Sequence, residues 1–258
     1  MVVMNIANPE KIRELQTVFY QAIKPPPLLA LDAWADKFRI LTAESSSEPG
    51  PWRTDRFPFT REIMACLSPQ HPATEVVWMA GSQVAKTEVS LNFMGYTIHY
   101  SPAPMLYAQK TIDSVKRFSK QRLSKMIAAM PVLRSRLSKI KSRDSENTQL
   151  IKNFMGGILI LGGANSAASL RSLPMERLML DEIDSYESDI DEEGDPVELA
   201  VRRTANFSRR KIYKASTPGV KETSRIEPAF EAGDQRYYNV PCPHCKAFQR
   251  ITWASINW

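Results

Sequence analysis

An α/β fold with a mainly parallel central sheet flanked by helices is predicted by three features of this 258-residue chain. Glu75-Val-Val-Trp-Met-Ala80 reads as a short buried strand that enters the loop Gly81-Ser82-Gln83-Val84-Ala85 and then Lys86-Thr87, where helical apolar spacing begins. A second apolar run, Leu178-Met-Leu180, ends in Asp181-Glu182. Around these two, strand-like and helix-like segments alternate, the order expected of a doubly wound sheet. A strand-loop-helix with Lys-Thr at the helix start can cradle phosphate on backbone N–H groups, and an acidic pair at a strand's carboxyl end stands where parallel sheets present ligand-binding groups. Together they predict a P-loop NTPase of the ASCE type.

The elements follow in order. Asn8-Pro9-Glu10 starts a helix with Asn8 as cap, spaced by Ile12, Leu15, Val18 and Phe19, and Lys24-Pro-Pro-Pro27 ends it. Leu31 to Ile40 predicts a second helix, and the polar stretch Glu44 to Pro51 a loop. Then come strand 75–80, helix 86–97 with Val89, Phe93 and Met94 inward, strand 105–108, a long basic helix 110–128, strand 157–161, strand 177–181, helix 195–205 and strand 211–215. Three domains are expected: an N-terminal helical extension over 1–50, the motor domain over 51–235, and a cysteine-bearing segment over 236–258.

The phosphate loop departs from G-x-x-x-x-G-K-[ST]. Both glycine positions are alanine, Ala80 and Ala85, and Gly81 sits one residue late. If Ala85 must adopt φ > 0 it carries a penalty of roughly 1–2 kcal/mol that the fold has to enforce. In the nucleotide reading, Lys86 contacts the β- and γ-phosphates, Thr87 and Asp181 organise Mg²⁺, and Glu182 positions the attacking water. Ser216-Thr217, after the strand 211–215, supplies a hydroxyl pair able to couple hydrolysis to movement. Arg53 and Arg56, with Trp52 and Phe59, are weaker candidates for the base side of the pocket. The bland alternatives are a chance Lys-Thr at a helix start, a solvated acidic loop over 181–198 and an ordinary Ser-Thr-Pro turn.

Charge adds a partner. The net charge is +6, and residues 110–152 carry twelve Lys/Arg against Asp113, Asp144 and Glu146, a local excess of nine. Such a block suits a polyphosphate such as DNA, with Lys116, Arg117 and Lys120 the candidate contacts; a solvated helix face is the alternative. There is no run of ~18 apolar residues, so no membrane span is expected. Three cysteines, two of them in Cys242-Pro-His-Cys245, point to a reducing compartment and to metal binding rather than a disulfide framework, with two reduced structural cysteines as the alternative, since tetrahedral zinc needs four ligands and this pair supplies two.

Several blocks in order resemble the large subunit of bacteriophage terminases of the GpA type: Ala33-Trp-Ala-Asp36, Pro51-Trp-Arg-Thr-Asp55 with Arg61-Glu-Ile63, Gly81-Ser-Gln-Val-Ala-Lys-Thr-Glu88, Leu180-Asp-Glu-Ile-Asp184, Glu193-Gly-Asp-Pro196, Ser216-Thr-Pro218 and Val240-Pro-Cys-Pro-His-Cys245. The resemblance implies an ATP-driven motor that threads viral double-stranded DNA into an empty capsid. It would work in the host bacterial cytoplasm as a homo-oligomeric ring on the portal of the procapsid, with a small terminase subunit. Members usually show Gly-Lys-Thr where this chain has Ala85-Lys86-Thr87. They also continue into a nuclease domain and often carry a second cysteine pair, so a chain ending at Trp258 is expected to be a motor fragment without cutting activity and with an incomplete zinc site. The rival readings are a helicase-like nucleic-acid ATPase and a catalytically silent DNA-binding or assembly module.

Overall fold

The computed structural model describes residues 9–23, 29–44, 46–137, 149–171, 173–252 and 254. The expected cap Asn8 and the Lys24-Pro-Pro-Pro27 stop lie outside them, as do Lys139, Lys141 and Arg143 of the basic block.

Helix α1 (Pro9–Ile23) is followed by α2 (Leu31–Phe38) and by a two-residue antiparallel ribbon, β1 (Ile40–Leu41) with β2 (Gly50–Pro51). Helix α3 (Thr60–Leu67) leads to β3 (Glu75–Met79), α4 (Lys86–His99) and β4 (Met105–Gln109). The predicted long basic helix is in fact α5 (Ile112–Phe118), one π-turn over Ser119–Leu123, then α6 (Ser124–Ala129) and α7 (Pro131–Arg134). Thr111 caps α5, its hydroxyl accepting from Ser114 N at 3.2 Å, which sets the start two residues later than expected. Strands β5 (Ile151–Phe154) and β6 (Gly157–Gly163), helix α8 (Ala167–Arg171), β7 (Arg177–Asp181), α9 (Pro196–Arg202), β8 (Lys211–Ser216), α10 (Ile226–Glu231) and a terminal ribbon of β9 (Val240–Pro241) and β10 (Phe248–Gln249) complete the order.

The six-stranded central sheet runs β3-β8-β7-β4-β6-β5. Five strands are parallel, and β5 pairs antiparallel with β6 at the edge. Alternation along each parallel strand feeds two cores, because successive side chains point to opposite faces. Met105, Tyr107, Leu159, Leu161, Met179 and Tyr213 face the core to which α2, α4 and α5 contribute, whereas Leu106, Ala108, Leu178, Leu180 and Ile212 face the core shared with Leu170, Leu199 and Ile226. Val89, Phe93 and Met94 are fully buried as expected, but so are Leu91, Tyr96 and Ile98. The helix is enclosed on nearly every side, so it lacks a simple amphipathic stripe. Gly95 lets α2 approach: a Cβ there would meet Trp34 Cη2 at 2.5 Å. That contact offsets the roughly 1 kcal/mol a mid-helix glycine costs.

The strand order places β8 between the loop-bearing β3 and the acidic β7. Ala80 N donates to Ser216 O at 3.1 Å and Glu182 N to Ala215 O at 2.7 Å, so three strand ends are locked into one ledge.

Candidate nucleotide site

The loop after β3 takes its shape without glycine. Ala85 sits at φ 66°, ψ 18° as the residue before α4, and Gln83 also has a left-handed φ of 59°. Gly81 is not in that region, and a Cβ on it would meet nothing within 4 Å. The strain anticipated at Ala85 is therefore present, and the glycine that the loop does have is not what relieves it.

The turn delivers Lys86, a residue only 5 % exposed, into the loop. Its Nζ donates to Ala80 O at 2.9 Å, Gly81 O at 2.8 Å and Thr217 Oγ1 at 2.7 Å, and lies 3.2 Å from Glu182 Oε1. Tyr213 of β8 fixes the helix start from below, its hydroxyl donating to Lys86 O at 3.2 Å. The lysine is thus held where loop, acidic strand and β8 meet.

Asp181, at the end of β7, is 2 % exposed. Its Oδ2 accepts from Tyr107 OH at 2.7 Å, Thr87 Oγ1 at 3.2 Å and Gln109 Nε2 at 3.3 Å, while Oδ1 is buried with no partner. Burial pushes its carboxyl up, the hydrogen bonds from Tyr107, Gln109 and Thr87 oppose that, and the neighbouring Glu182 adds to it. A bare carboxylate oxygen inside protein is costly unless a cation meets it. An unpartnered carboxylate oxygen beside a threonine hydroxyl is a donor set of hard oxygens, which suits Mg²⁺, an ion that takes few protein ligands and keeps several waters.

Glu182 takes a left-handed conformation, φ 57°, ψ 53°, that turns its carboxylate off the strand toward β8. Oε2 accepts from Thr217 N at 2.9 Å and from Ser216 Oγ at 3.5 Å. Unlike Asp181 it is half-exposed, so water can reach it. Lys86, Thr87, Asp181, Glu182, Ser216 and Thr217 are all brought together at the carboxyl ends of β3, β7 and β8.

Residues 46–258 match the family described as phage terminase large subunit gpA, ATPase domain. The chain belongs to that family. It is 31 % identical over 235 residues to the terminase large subunit of Enterobacteria phage P21, covering 90 % of this chain and 36 % of that protein. It is 28 % identical over 248 residues to the terminase large subunit of Escherichia phage lambda, covering 94 % of this chain and 38 % of that one. The chain spans a little over a third of these relatives. The crystal structure of the HK97 bacteriophage large terminase superposes with a TM-score of 0.61 at 13 % identity, over 80 % of this chain and 42 % of that one. The terminase ATPase fold, a P-loop NTPase with a mainly parallel sheet, is thereby established.

Other sequence candidates of this terminase chain fall elsewhere. Trp52 is 1 % exposed, stacks on Phe57 at 5.4 Å and donates to Thr54 Oγ1 at 3.0 Å; it is a core residue, not a free face for a base. Arg56 is paired with Glu48 at 2.5 Å. Lys116, Arg117 and Lys120 are exposed on α5 and the π-turn, with Lys116 3.6 Å from Asp113. Arg122 and Lys125 of the same block are instead spent on Glu88 and Glu44. Cys242 and Cys245 lie in a turn closed by β9 and β10, where Cys242 N donates to Ala247 O at 2.8 Å and Lys246 N to Cys242 O at 3.0 Å. Hydrogen bonds from the backbone at Cys245 and His244 hold the Cys242 thiol below its ordinary value. Cys66 lies 3.7 Å from His71, and among the described residues no group of three or more His, Cys, Asp or Glu is placed to hold a metal. No helix among them is long and apolar enough to cross a membrane.

Sequence reasoning missed Tyr107, Gln109 and Asp184. Asp184 Oδ2 accepts from Gly219 N at 2.8 Å, and Oδ1 from Arg225 N at 3.0 Å and Ile226 N at 2.8 Å. It therefore ties the acidic strand's exit to the loop after Thr217 and to the start of α10. Its place in Asp181-Glu182-Ile-Asp184 was the available signal; the partners, more than thirty residues later, were not.

Proposed function

We propose that this chain is the ATPase motor part of a phage large terminase, coupling ATP hydrolysis to translocation of double-stranded DNA into a capsid. The observation that carries this reading is the convergence of Lys86, Thr87, Asp181, Glu182 and Thr217 on one ledge of three strand ends, in a chain of the terminase ATPase family.

Lys86 would exchange the carbonyls of Ala80 and Gly81 for β- and γ-phosphate oxygens, and the loop N–H groups would wrap the same phosphates. Thr87 and the free Oδ1 of Asp181 would hold Mg²⁺, whose contribution is to neutralise charge developing on the phosphates. Glu182 would orient the attacking water and accept its proton. Because Lys86 is among the groups that hold Glu182 in this state, with Thr217 and Ser216, phosphate arrival at Lys86 would loosen one of its restraints. Ser216-Thr217 and Asp184 would then pass that change to the 217–226 segment and α10, the coupling role. Lys116, Arg117 and Lys120 would grip DNA phosphates. A small terminase subunit, the portal of the procapsid and a ring of like subunits in the host cytoplasm are the assembly in which such a motor would act. Cys242 and Cys245 would supply two of four zinc ligands; fewer than one zinc per chain by elemental analysis is the expected result.

ATP turnover measured with and without double-stranded DNA tests the proposal. Turnover that rises with DNA and is lost in Glu182→Gln supports it. Tight DNA binding with no nucleotide binding would return the chain to a silent DNA-binding module.

A further inference from the structure

The Asp181 carboxylate is asymmetric: three donors crowd Oδ2 and none reaches Oδ1. Two of the three come from one strand. Tyr107 and Gln109 are two apart on β4 and so share a face, and the β4–β7 register pairs Tyr107 with Met179, two residues before Asp181 on the same side. Tyr107 is fully buried and stacks on Phe118 at 4.4 Å and 27°, which leaves its ring one orientation. Its hydroxyl donates to Asp181 Oδ2 at 2.7 Å. Gln109 Nε2 donates both to Tyr107 OH at 2.8 Å and to Asp181 Oδ2 at 3.3 Å, bracing the phenol as well as the carboxylate.

We infer that Tyr107 and Gln109 are positioning residues that saturate Asp181 Oδ2 and so present Oδ1, bare and fixed in direction, to the divalent cation. The inference rests on Asp181 being the metal-holding carboxylate. It goes further in assigning the direction of that carboxylate to a pair on a strand that carries neither the phosphate loop nor the acidic pair. Without the phenol, rotation about the Cβ–Cγ bond costs less, and either oxygen can turn to Thr87. The cation would then meet a carboxylate that must first be oriented, the loss usual when a partner behind a metal ligand is removed. Phe118 ends the helix that carries Lys116 and Arg117, so the same ring stack places the metal carboxylate one side chain away from the basic helix.

The test measures Mn²⁺ affinity, by electron paramagnetic resonance, for the full chain saturated with a non-hydrolysable ATP analogue. Wild type, Tyr107→Phe, Gln109→Leu and Asp181→Asn are compared, each with its metal-free nucleotide affinity as reference. Tyr107→Phe keeps the stack on Phe118 and loses only the donor. The expected result is a Mn²⁺ Kd raised about tenfold in Tyr107→Phe and in Gln109→Leu, with metal-free nucleotide affinity unchanged. A packing role alone would move thermal stability but not the Mn²⁺ Kd. Unchanged Mn²⁺ affinity in both variants, with the ion lost in Asp181→Asn, would overturn the inference. Retention of the ion in Asp181→Asn would overturn the assignment of Asp181 on which it stands. Should Tyr107→Phe fail to fold, Gln109→Leu decides.

Discussion

The Lys86 ammonium and the Glu182 carboxylate lie 3.2 Å apart across the strand ends, each also bound to Thr217. The side chain that would hold phosphate and the one that would position water thus restrain each other before nucleotide arrives. Glu182→Gln removes the charge from that pair and leaves Lys86 freer to meet phosphate. ATP binding is therefore expected to be retained or modestly tighter, while turnover falls by ~10² or more, as for loss of a general base. Binding by calorimetry and phosphate release in the presence of DNA check both halves; unchanged turnover removes Glu182 from the mechanism.

Ala85 holds a left-handed conformation that a Cβ disfavours. Ala85→Gly should stabilise the fold by about 1 kcal/mol, the relief of that strain less the added freedom of glycine in the unfolded chain. Denaturant unfolding measures this directly. A loss of stability of similar size would mean that the Ala85 methyl packs better than its conformation suggests.

The fold was legible where apolar runs are long. Arg177–Asp181 announces itself because a parallel strand inside the sheet is buried on both faces, whereas Glu75–Met79, expected as a buried strand, is only partly covered because it lies at the sheet's edge with β8 as its one neighbour. Ile151–Phe154 did not announce itself, since an edge strand reading Ile-Lys-Asn-Phe has neither a continuous apolar run nor a clean alternation. The π-turn at Ser119–Leu123 was invisible because its composition is that of the helices around it. Among the residues gathered at the strand ends, Lys86, Thr87, Asp181 and Glu182 were picked out by motif, and Ser216-Thr217 by its place after a strand. Tyr107 and Gln109 could not be read there, as their contact with Asp181 depends on which strand lies beside β7 and in what register.

Asp184 is the group whose titration should be felt in stability. Burial pushes its carboxyl up, but hydrogen bonds from Gly219, Ser224, Ile226 and Arg225 outweigh that and hold it below the ordinary carboxylate range. A carboxyl held low in the folded state stabilises the fold above its unfolded pKa, and that contribution disappears as pH falls through the lower folded value. Between about pH 5 and pH 2 the thermal midpoint should drop more steeply in wild type than in Asp184→Asn. Parallel curves would show that the Asp184 contacts do not depend on its charge.

Lys116, Arg117 and Lys120 are exposed and, apart from the 3.6 Å approach of Lys116 to Asp113, point to solvent. If they meet phosphates, log affinity for DNA should fall with log salt at about −0.9 per contact. Replacing all three by alanine should make the slope shallower by roughly 2 to 3. An unaltered slope would assign them to a solvated helix face.

Whether the β3–α4 loop holds the phosphates of ATP through Lys86 is decided by calorimetric titration of Mg-ATP into wild type and Lys86→Ala. Loss of a charge-assisted hydrogen bond of ~1.5–3 kcal/mol predicts an affinity at least about tenfold weaker in the variant. Equal affinity in the two proteins would mean that the phosphates are bound somewhere other than this loop.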